Sequence, residues 1–385
     1  MRKDWEYKKL GECFHYIKNG ANIKQVKGAG GYPITRIETL SGGVFNRNRM
    51  GYADVYDIEK YQDYILENGD LLLSHINSKS YIGRTVEYRS RNTEIIIHGM
   101  NLLRIKNNSD VISSSFFAYY ANSHKFKSDI ARIRKDAVNQ SSLSITDLKK
   151  IHVPLPPKPT QLAIVAELDK INELIQLKKQ QLKDYDQLAQ SIFYEMFGDP
   201  VENEKGWEVK KISEVSIYYN GKAHENDIDE SGKYILINSK FISSEGSVLK
   251  RTATQHFPLY KNDVVMVLSD LPNGKALGKC CLITKDDIYS LNQRICCFRG
   301  FKGDSHFFKY MINRHPYFLS FDDGKGQTNL RKKDVENCPI PLPPLPLQQQ
   351  FAARIEAIER QKQQVSETIK DLETLLASRM QYWFD

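Results

Sequence analysis

The sequence predicts an α+β protein: two similar mixed α/β globular domains separated by two long helices that form an antiparallel coiled coil, with an internal pseudo-twofold repeat. Three observations predict it. The stretch "VPLPPKPTQLAIVAELDKI" from Val153 returns as "IPLPPLPLQQQFAARIEAI" from Ile340, 187 residues later. Each copy leads into a run of apolar residues at alternating steps of four and three, the seam of a coiled coil. Upstream of each copy lie about 150 residues of short strand-like runs broken by turn residues.

The repeat extends in both directions, and repeats decide architecture. "NQSSLSITDLKKIHVPLPP" from Asn139 aligns with "GQTNLRKKDVENCPIPLPP" from Gly326, keeping Gln140 with Gln327, Leu143 with Leu330 and Asp147 with Asp334. The opening "DWEYKKLGEC" resembles "GWEVKKISEV" from Gly206, and "NGDLLLS" (Asn68–Ser74) resembles "KNDVVMV" (Lys261–Val267). The middles agree poorly, which fits one scaffold carrying two different recognition surfaces, the reading that loops rich in Gly, Asn, Arg and Lys favour, or an old duplication whose halves drifted apart. The expected segments are a first domain at 1–157, a central helix at 158–198, a second domain at 199–344 and a C-terminal helix at 345–385.

The first seam runs through Ile164, Leu168, Ile171, Ile175, Lys178, Leu182, Tyr185, Ala189, Ile192 and Met196. The second holds Phe351, Ile355, Ile358, Lys362, Val365, Ile369, Leu372, Leu376, Arg379 and Trp383. Two helices with one apolar stripe each bury those stripes most simply against each other, over a rod of roughly 50 Å at 1.5 Å per residue. Lys178, Lys362 and Arg379 interrupt the seam, as stems lying along its edge, as partners that fix the pairing, or as residues that receive another subunit's helices. Prolines before each helix (Pro154, Pro156, Pro157 and Pro341, Pro343, Pro344, with Gln161 and Gln348 just beyond) read as hinges. Within the domains, "DLLLSHI", "EIIIHGMNLLRI", "DVVMVL" and "QRICCFRG" read as strands and "SSFFAYYANSHKFKSDIARI" as a helix.

Composition bounds the function. The chain is 41% hydrophobic and 26% charged, and it has no apolar run near the roughly 20 residues of a membrane helix. Its opening "MRKDWEYKKL" is too polar for a signal peptide, so a cytoplasmic location is expected. Six cysteines lack the spacing of a disulfide framework, and the two "CC" pairs place neighbours on opposite faces of a strand instead of in a metal loop. Net charge is +8, all of it carried by residues 1–150, with 24 Lys and Arg against 16 Asp and Glu. Residues 251–350 hold a second surplus, 14 against 9. Two basic globular regions joined by neutral helices suit two polyanion-binding modules.

No reaction centre emerges. The proline pairs lack the flanking residues of the Asn/Asp-Pro-Pro-aromatic loop used by amino-methylating enzymes. "GAGG" (Gly28–Gly31) precedes no helix pattern, and "GKALGKC" from Gly274 is one residue short of a phosphate loop and ends in Cys280. "GDPVENEK" lacks nuclease spacing, and His75, His98 and His306 lack ligand spacing.

A unit opening "W..KKL.E", a "GDLLLS" strand, a "Q..L....L....VPLPP...Q" hinge and a long helix, stated twice over essentially the whole chain, resembles the specificity subunit of type I restriction-modification systems. The resemblance implies two DNA target-recognition domains held apart by paired helices, reading an asymmetric bipartite double-stranded site. It implies no catalysis in this chain. Partners would be two modification (methyltransferase) subunits and restriction (translocase/endonuclease) subunits, which would carry S-adenosylmethionine, ATP and Mg. The competing readings are a coiled-coil adaptor whose two domains bind proteins, and a self-sufficient DNA-modifying enzyme.

Arg reads guanine, Asn reads adenine and Lys anchors phosphate. On that ground the candidate DNA contacts of the first domain are Asn46, Arg47, Asn48 and Arg49 in "NRNR", Lys79 and Arg84 in "NSKSYIGRT", and Arg132 and Arg134 in "ARIRKDAVNQ". Those of the second are Asn273, Lys275 and Lys279 in "DLPNGKALGK", and Lys325, Asn329 and Arg331 in "FDDGKGQTNLRKK". The first half has Ala137 and Asn139 where the second has Gly324 and Gly326, a departure from the family's glycine-rich form at this loop.

Overall fold

The computed structural model describes residues 5–385 except 24–29, 53, 139, 225 and 273. It divides into two compact units, 1–178 with 368–385, and 179–367.

The first unit is built on a four-stranded antiparallel sheet in the order Phe14–Asn19, Leu102–Asn107, Leu71–Ser74, Thr85–Glu87. The second repeats that order with Ile217–Asn220, Ile295–Arg299, Val264–Val267 and Cys280–Leu282. Of the middle strands, Leu71–Ser74 and Val264–Val267 are buried along their whole length and read as near-continuous apolar runs. Cys296 and Cys297 show the alternation directly, one packing with Phe298 and Phe307, the other with Ile237 and Leu259 on the opposite face.

A buried aspartate closes the turn before the central strand in each unit. Asp70 accepts the Glu67 N–H at 2.7 Å and pairs with Arg104 at 2.6 Å. Asp263 accepts the Tyr260 N–H at 2.9 Å and pairs with Arg299 at 2.7 Å. The "NGD" and "KND" likeness is therefore a device repeated in both halves, with Gly69 and Asn262 both at positive φ.

The proline-rich stretches are strands before they are hinges. Pro154 lies in His152–Leu155, paired antiparallel with Glu6–Lys9, and Pro341 lies in Pro339–Leu342, paired with Glu208–Lys211. A two-stranded ribbon tolerates proline because the missing N–H faces away from the partner. Pro156, Pro157, Pro343 and Pro344 make the turn into the helix. The buried Gln161 and Gln348 clamp it: Gln161 accepts the Ser113 N–H and donates to the Pro156 carbonyl, while Gln348 accepts the Asp304 N–H and donates to the Pro343 carbonyl.

The long helices span Lys158–Phe197 and Leu345–Phe384. In the first unit Arg379, late in the second helix, grips Glu167, early in the first; in the second unit Lys362 meets Asp186 at 2.6 Å. Early residues of one helix thus meet late residues of the other, which is antiparallel pairing. Two of the three charged interruptions of the seam fix it, and Arg379 also lies over the Tyr382 and Trp383 rings.

Ile164, Leu168, Ile171 and Ile175 are buried in the first unit with Ile369, and Ile355, Ile358 and Val365 in the second; Leu182 and Leu372 are half-buried. The outer turns of both helices also enter the domain cores. Phe384 packs on Phe116 and Tyr120, and Phe193 and Phe197 pack on Phe307 and Phe351. The seam expected through Ile192 and Met196 therefore turns toward Phe193 and Phe197, because a 3.6-residue helix drifts from a 3.5-residue stripe.

Two local readings differ from the structure. "EIIIHGMNLLRI" is not one strand, since Gly99 turns the chain and only Leu102–Asn107 joins the sheet; a Cβ on Gly99 would lie 2.3 Å from the Thr35 carbonyl oxygen. The single helix expected from Ser114 breaks into Ser114–Tyr120 and His124–Ile133, because Ser123 caps the second by accepting the Phe126 N–H.

Candidate nucleic-acid interface

In each unit, two polar loops distant in sequence are laced into one edge. In the first, Ile76–Asn77 pairs with Ser141–Ser142, which pairs in turn with Lys135–Asp136. In the second, Ser269–Asp270 pairs with Thr328–Asn329. The lacing repeats one backbone bond, Leu143 N–H to the His75 carbonyl (2.9 Å) and Leu330 N–H to the Leu268 carbonyl (2.8 Å). The strands beneath are buried, so the loop tips and their cations project from a rigid base.

The first unit brings Lys79, Arg84 and Arg134 together there. Lys79 pairs with Asp136 at 3.1 Å, and Arg134 lies 3.1 Å from the same carboxylate. Hydrogen bonds from Ser141 and Lys79 hold the Asp136 carboxyl below its usual range. Arg84 lies over the Tyr81 ring and donates to the Leu40 carbonyl, which ties in the segment that carries "NRNR". In that segment Asn46 caps the turn by accepting the Asn48 N–H, while Asn48 and Arg49 are exposed.

Arg47 turns inward. It lies over the Phe45 and Tyr88 rings and grips Glu94, and it also donates to the Arg89 carbonyl. That grip, with the Arg91 N–H and the Tyr88 hydroxyl, brings the Glu94 carboxyl down to about 2. Arg47 therefore holds the loop's shape. Arg132 is not brought to this edge; it stands on the helix His124–Ile133 beside Asp129 and lines a separate groove.

The second unit presents its cations without that neutralisation. Lys275, Lys325 and Arg331 are exposed, with no ion-pair partner among the described residues, and Lys279 is half-buried. Asp270 folds the loop by accepting the Ala276 and Leu277 N–H groups, so tightly that a Cβ on Gly274 would lie 2.0 Å from its Oδ2. Asn329 is exposed on the paired strand, and Arg331 begins the helix Lys332–Glu336 with its N–H on Asp334. Asn273 and Asn139 lie outside the described residues.

Sequence reasoning missed Gln293 and Arg294. Both are exposed in the turn between Tyr289–Leu291 and Ile295–Arg299, and the Arg294 carbonyl accepts the Leu268 N–H beside the laced loops. The signal was present as "NQR", a polar triplet between two apolar strands.

Edges of this kind, with Asn, Gln and Arg donors among phosphate-reaching Lys, can engage a duplex groove. The family model described as the type I restriction modification DNA specificity domain matches the chain twice, over residues 2–184 and 204–374. The chain belongs to this DNA specificity family. Each copy of the specificity domain covers a globular domain and most of the helix that follows it.

Among relatives, the chain is 30% identical to the putative type I restriction enzyme MjaX specificity subunit of Methanocaldococcus jannaschii, over 97% of this chain and 93% of the relative. It is 23% identical to the MjaVIII specificity subunit of the same organism, over 97% and 92%. The fold matches the type I restriction-modification S subunit from M. genitalium with a TM-score of 0.54 at 14% identity, covering 99% of this chain and 96% of that one. A chain from a structural study of type I R-M complex assembly and conformational transition matches with a TM-score of 0.56 at 16% identity, covering 100% and 98%. The two mixed α/β modules of this chain are thus target-recognition domains, and its role is DNA sequence specificity.

Proposed function

We propose that this chain gives a type I restriction-modification complex its choice of sequence, reading an asymmetric bipartite double-stranded site and directing methylation or cleavage by partner subunits. One observation carries the bipartite, asymmetric reading. The same laced edge occurs in both units with different side chains: Asn77, Lys79 and Arg84 on one, Asp270, Lys275 and Asn329 on the other. Similar scaffolds with unlike donors read unlike half-sites.

The chain acts by binding, in the cytoplasm, without a reaction of its own. Two modification subunits bring S-adenosylmethionine and methyl transfer, and restriction subunits bring ATP, Mg and cleavage. The paired helices supply the modification subunits with a docking neighbourhood.

The test is methylome sequencing of cells that express this chain with its modification subunit, against cells that express the modification subunit alone. The expected result is a new two-part motif in which exchange of residues 1–157 changes one half and leaves the other. No chain-dependent methylation, or a motif altered in both halves, would overturn the proposal, and the first result would favour a protein adaptor.

A further inference from the structure

In each unit the most exposed large aliphatic side chain among the described residues stands on the laced edge. In the first unit it is Val138, fully exposed at 101%; in the second it is Leu271, at 70%. Single exposed apolar residues are ordinary on a protein surface. That both maxima fall on the two edges otherwise furnished with Lys, Arg and Asn is what points to a ligand.

The two residues reach their edges from different loops, and backbone bonds hold each in place. Val138 follows the strand Lys135–Asp136, which pairs with Ser141–Ser142, and the Ala137 N–H donates to the Gln140 carbonyl at 2.9 Å. It therefore stands at the tip of a tight hairpin. Leu271 follows the strand Ser269–Asp270. Its N–H donates to Asp270 Oδ1 at 2.8 Å and its carbonyl accepts the Gly274 N–H at 2.9 Å, while Asp270 Oδ2 accepts the Ala276 and Leu277 N–H groups. The corresponding loop of the first unit closes by the same bond but is shorter. Gly83 N–H to the Ser74 carbonyl encloses residues 75–82, whereas Gly278 N–H to the Val267 carbonyl encloses 268–277. The second unit thus has room for an apolar tip on this loop, and the first takes its tip from the hairpin laced to it.

An aliphatic tip hydrogen-bonds nothing, so phosphates and polar base edges give it no partner. The major groove of unmodified DNA holds one apolar group, the C5 methyl of thymine, and apolar contact with that methyl is a form of direct base readout. We propose that Val138 and Leu271 each contact a thymine methyl, one in each half-site, and so fix a T·A pair in the sequence that each unit reads. The inference rests on the proposed DNA reading and adds to it a base feature that the hydrogen-bonding candidates do not sense. Because both tips are held by their own loops, little ordering cost falls on binding.

The test uses the assembled complex of this chain with its modification subunits, and a duplex site selected from a random library. Fluorescence anisotropy first compares that site with a scrambled duplex, which tests the DNA reading itself. Each thymine of the site is then replaced singly by deoxyuridine, which removes the C5 methyl and leaves the pairing edge intact. Loss of one buried methyl should weaken binding roughly fourfold at one position in each half. That penalty should vanish in one half with Leu271→Ser and in the other with Val138→Ser, while preference over the scrambled duplex persists. Both side chains are exposed, so neither change disturbs the core. A half-site without thymine, or deoxyuridine tolerated throughout, would overturn the proposal and leave the DNA reading intact. So would a penalty that survives the serine, which would make the tip a wedge between base steps or an idle side chain. Failure to select any site over a scrambled duplex would overturn both.

Discussion

The unneutralised cations of the second unit make the sharpest test of how this chain holds DNA. Lys275, Lys325 and Arg331 are exposed on one laced edge, with no ion-pair partner among the described residues. Each phosphate neutralised contributes about 0.9 to the slope of log affinity against log salt, so replacing all three by Ala should lower that slope by about 2.7. Between 50 and 200 mM salt the unaltered chain should lose roughly 40-fold more affinity than the variant.

Lys79 of the first unit is a built-in control, because its charge is already opposed by Asp136. Lys79→Ala should move the slope by less than a single unpaired cation does. The assay is equilibrium binding of the assembled complex to a duplex of arbitrary sequence across a salt series, since the phosphate contribution does not depend on sequence. Stability should change by less than about 0.5 kcal/mol per substitution at such exposed sites. An unchanged slope in a folded triple variant would refute the placement of these residues against the DNA backbone.

Other predictions concern the scaffold. Asp70→Ala leaves the buried Arg104 with the exposed Glu67 as its one carboxylate partner among the described residues, and should destabilise the first unit by about 3 kcal/mol in urea unfolding; pairing it with Arg104→Met should recover much of that loss. Gln161→Leu and Gln348→Leu each leave a backbone N–H without its acceptor and should cost about 1–3 kcal/mol, read from the urea midpoint. Phe193→Ala removes a ring packed on Phe307 and Phe351 and should cost about 3–5 kcal/mol by the same measurement. The Arg47 grip depresses the Glu94 carboxyl to about 2 from an ordinary 4.5, so its contribution is fully present above that ordinary value and is lost as pH falls toward 2. The stability gap between the unaltered chain and Arg47→Ala should therefore be constant near neutrality and close between about pH 4.5 and 2; a gap that persists at the acid end would show that Arg47 acts through packing alone.

The sequence by itself determined the repeat, the two helices and the regions where polar loops interrupt apolar strands. These are local properties: a stripe of Ile and Leu at steps of four and three specifies a helix face wherever it occurs, and prolines ahead of it mark its start. It also singled out Lys79, Arg84 and Arg134, and Lys275, Lys325 and Asn329, as candidate contacts. Tertiary structure alone decided which of those loops meet. The pairing of Asn77 with Ser141, or of Asp270 with Thr328, joins residues about 60 apart through backbone bonds that carry no local signature. It also turned Arg47 inward, because Glu94 supplies a half-buried carboxylate from another part of the chain, and it left Arg132 on a different surface. An arginine in a polar loop looks the same in sequence whether a carboxylate waits beneath it or only solvent does, and only the fold sets that distance.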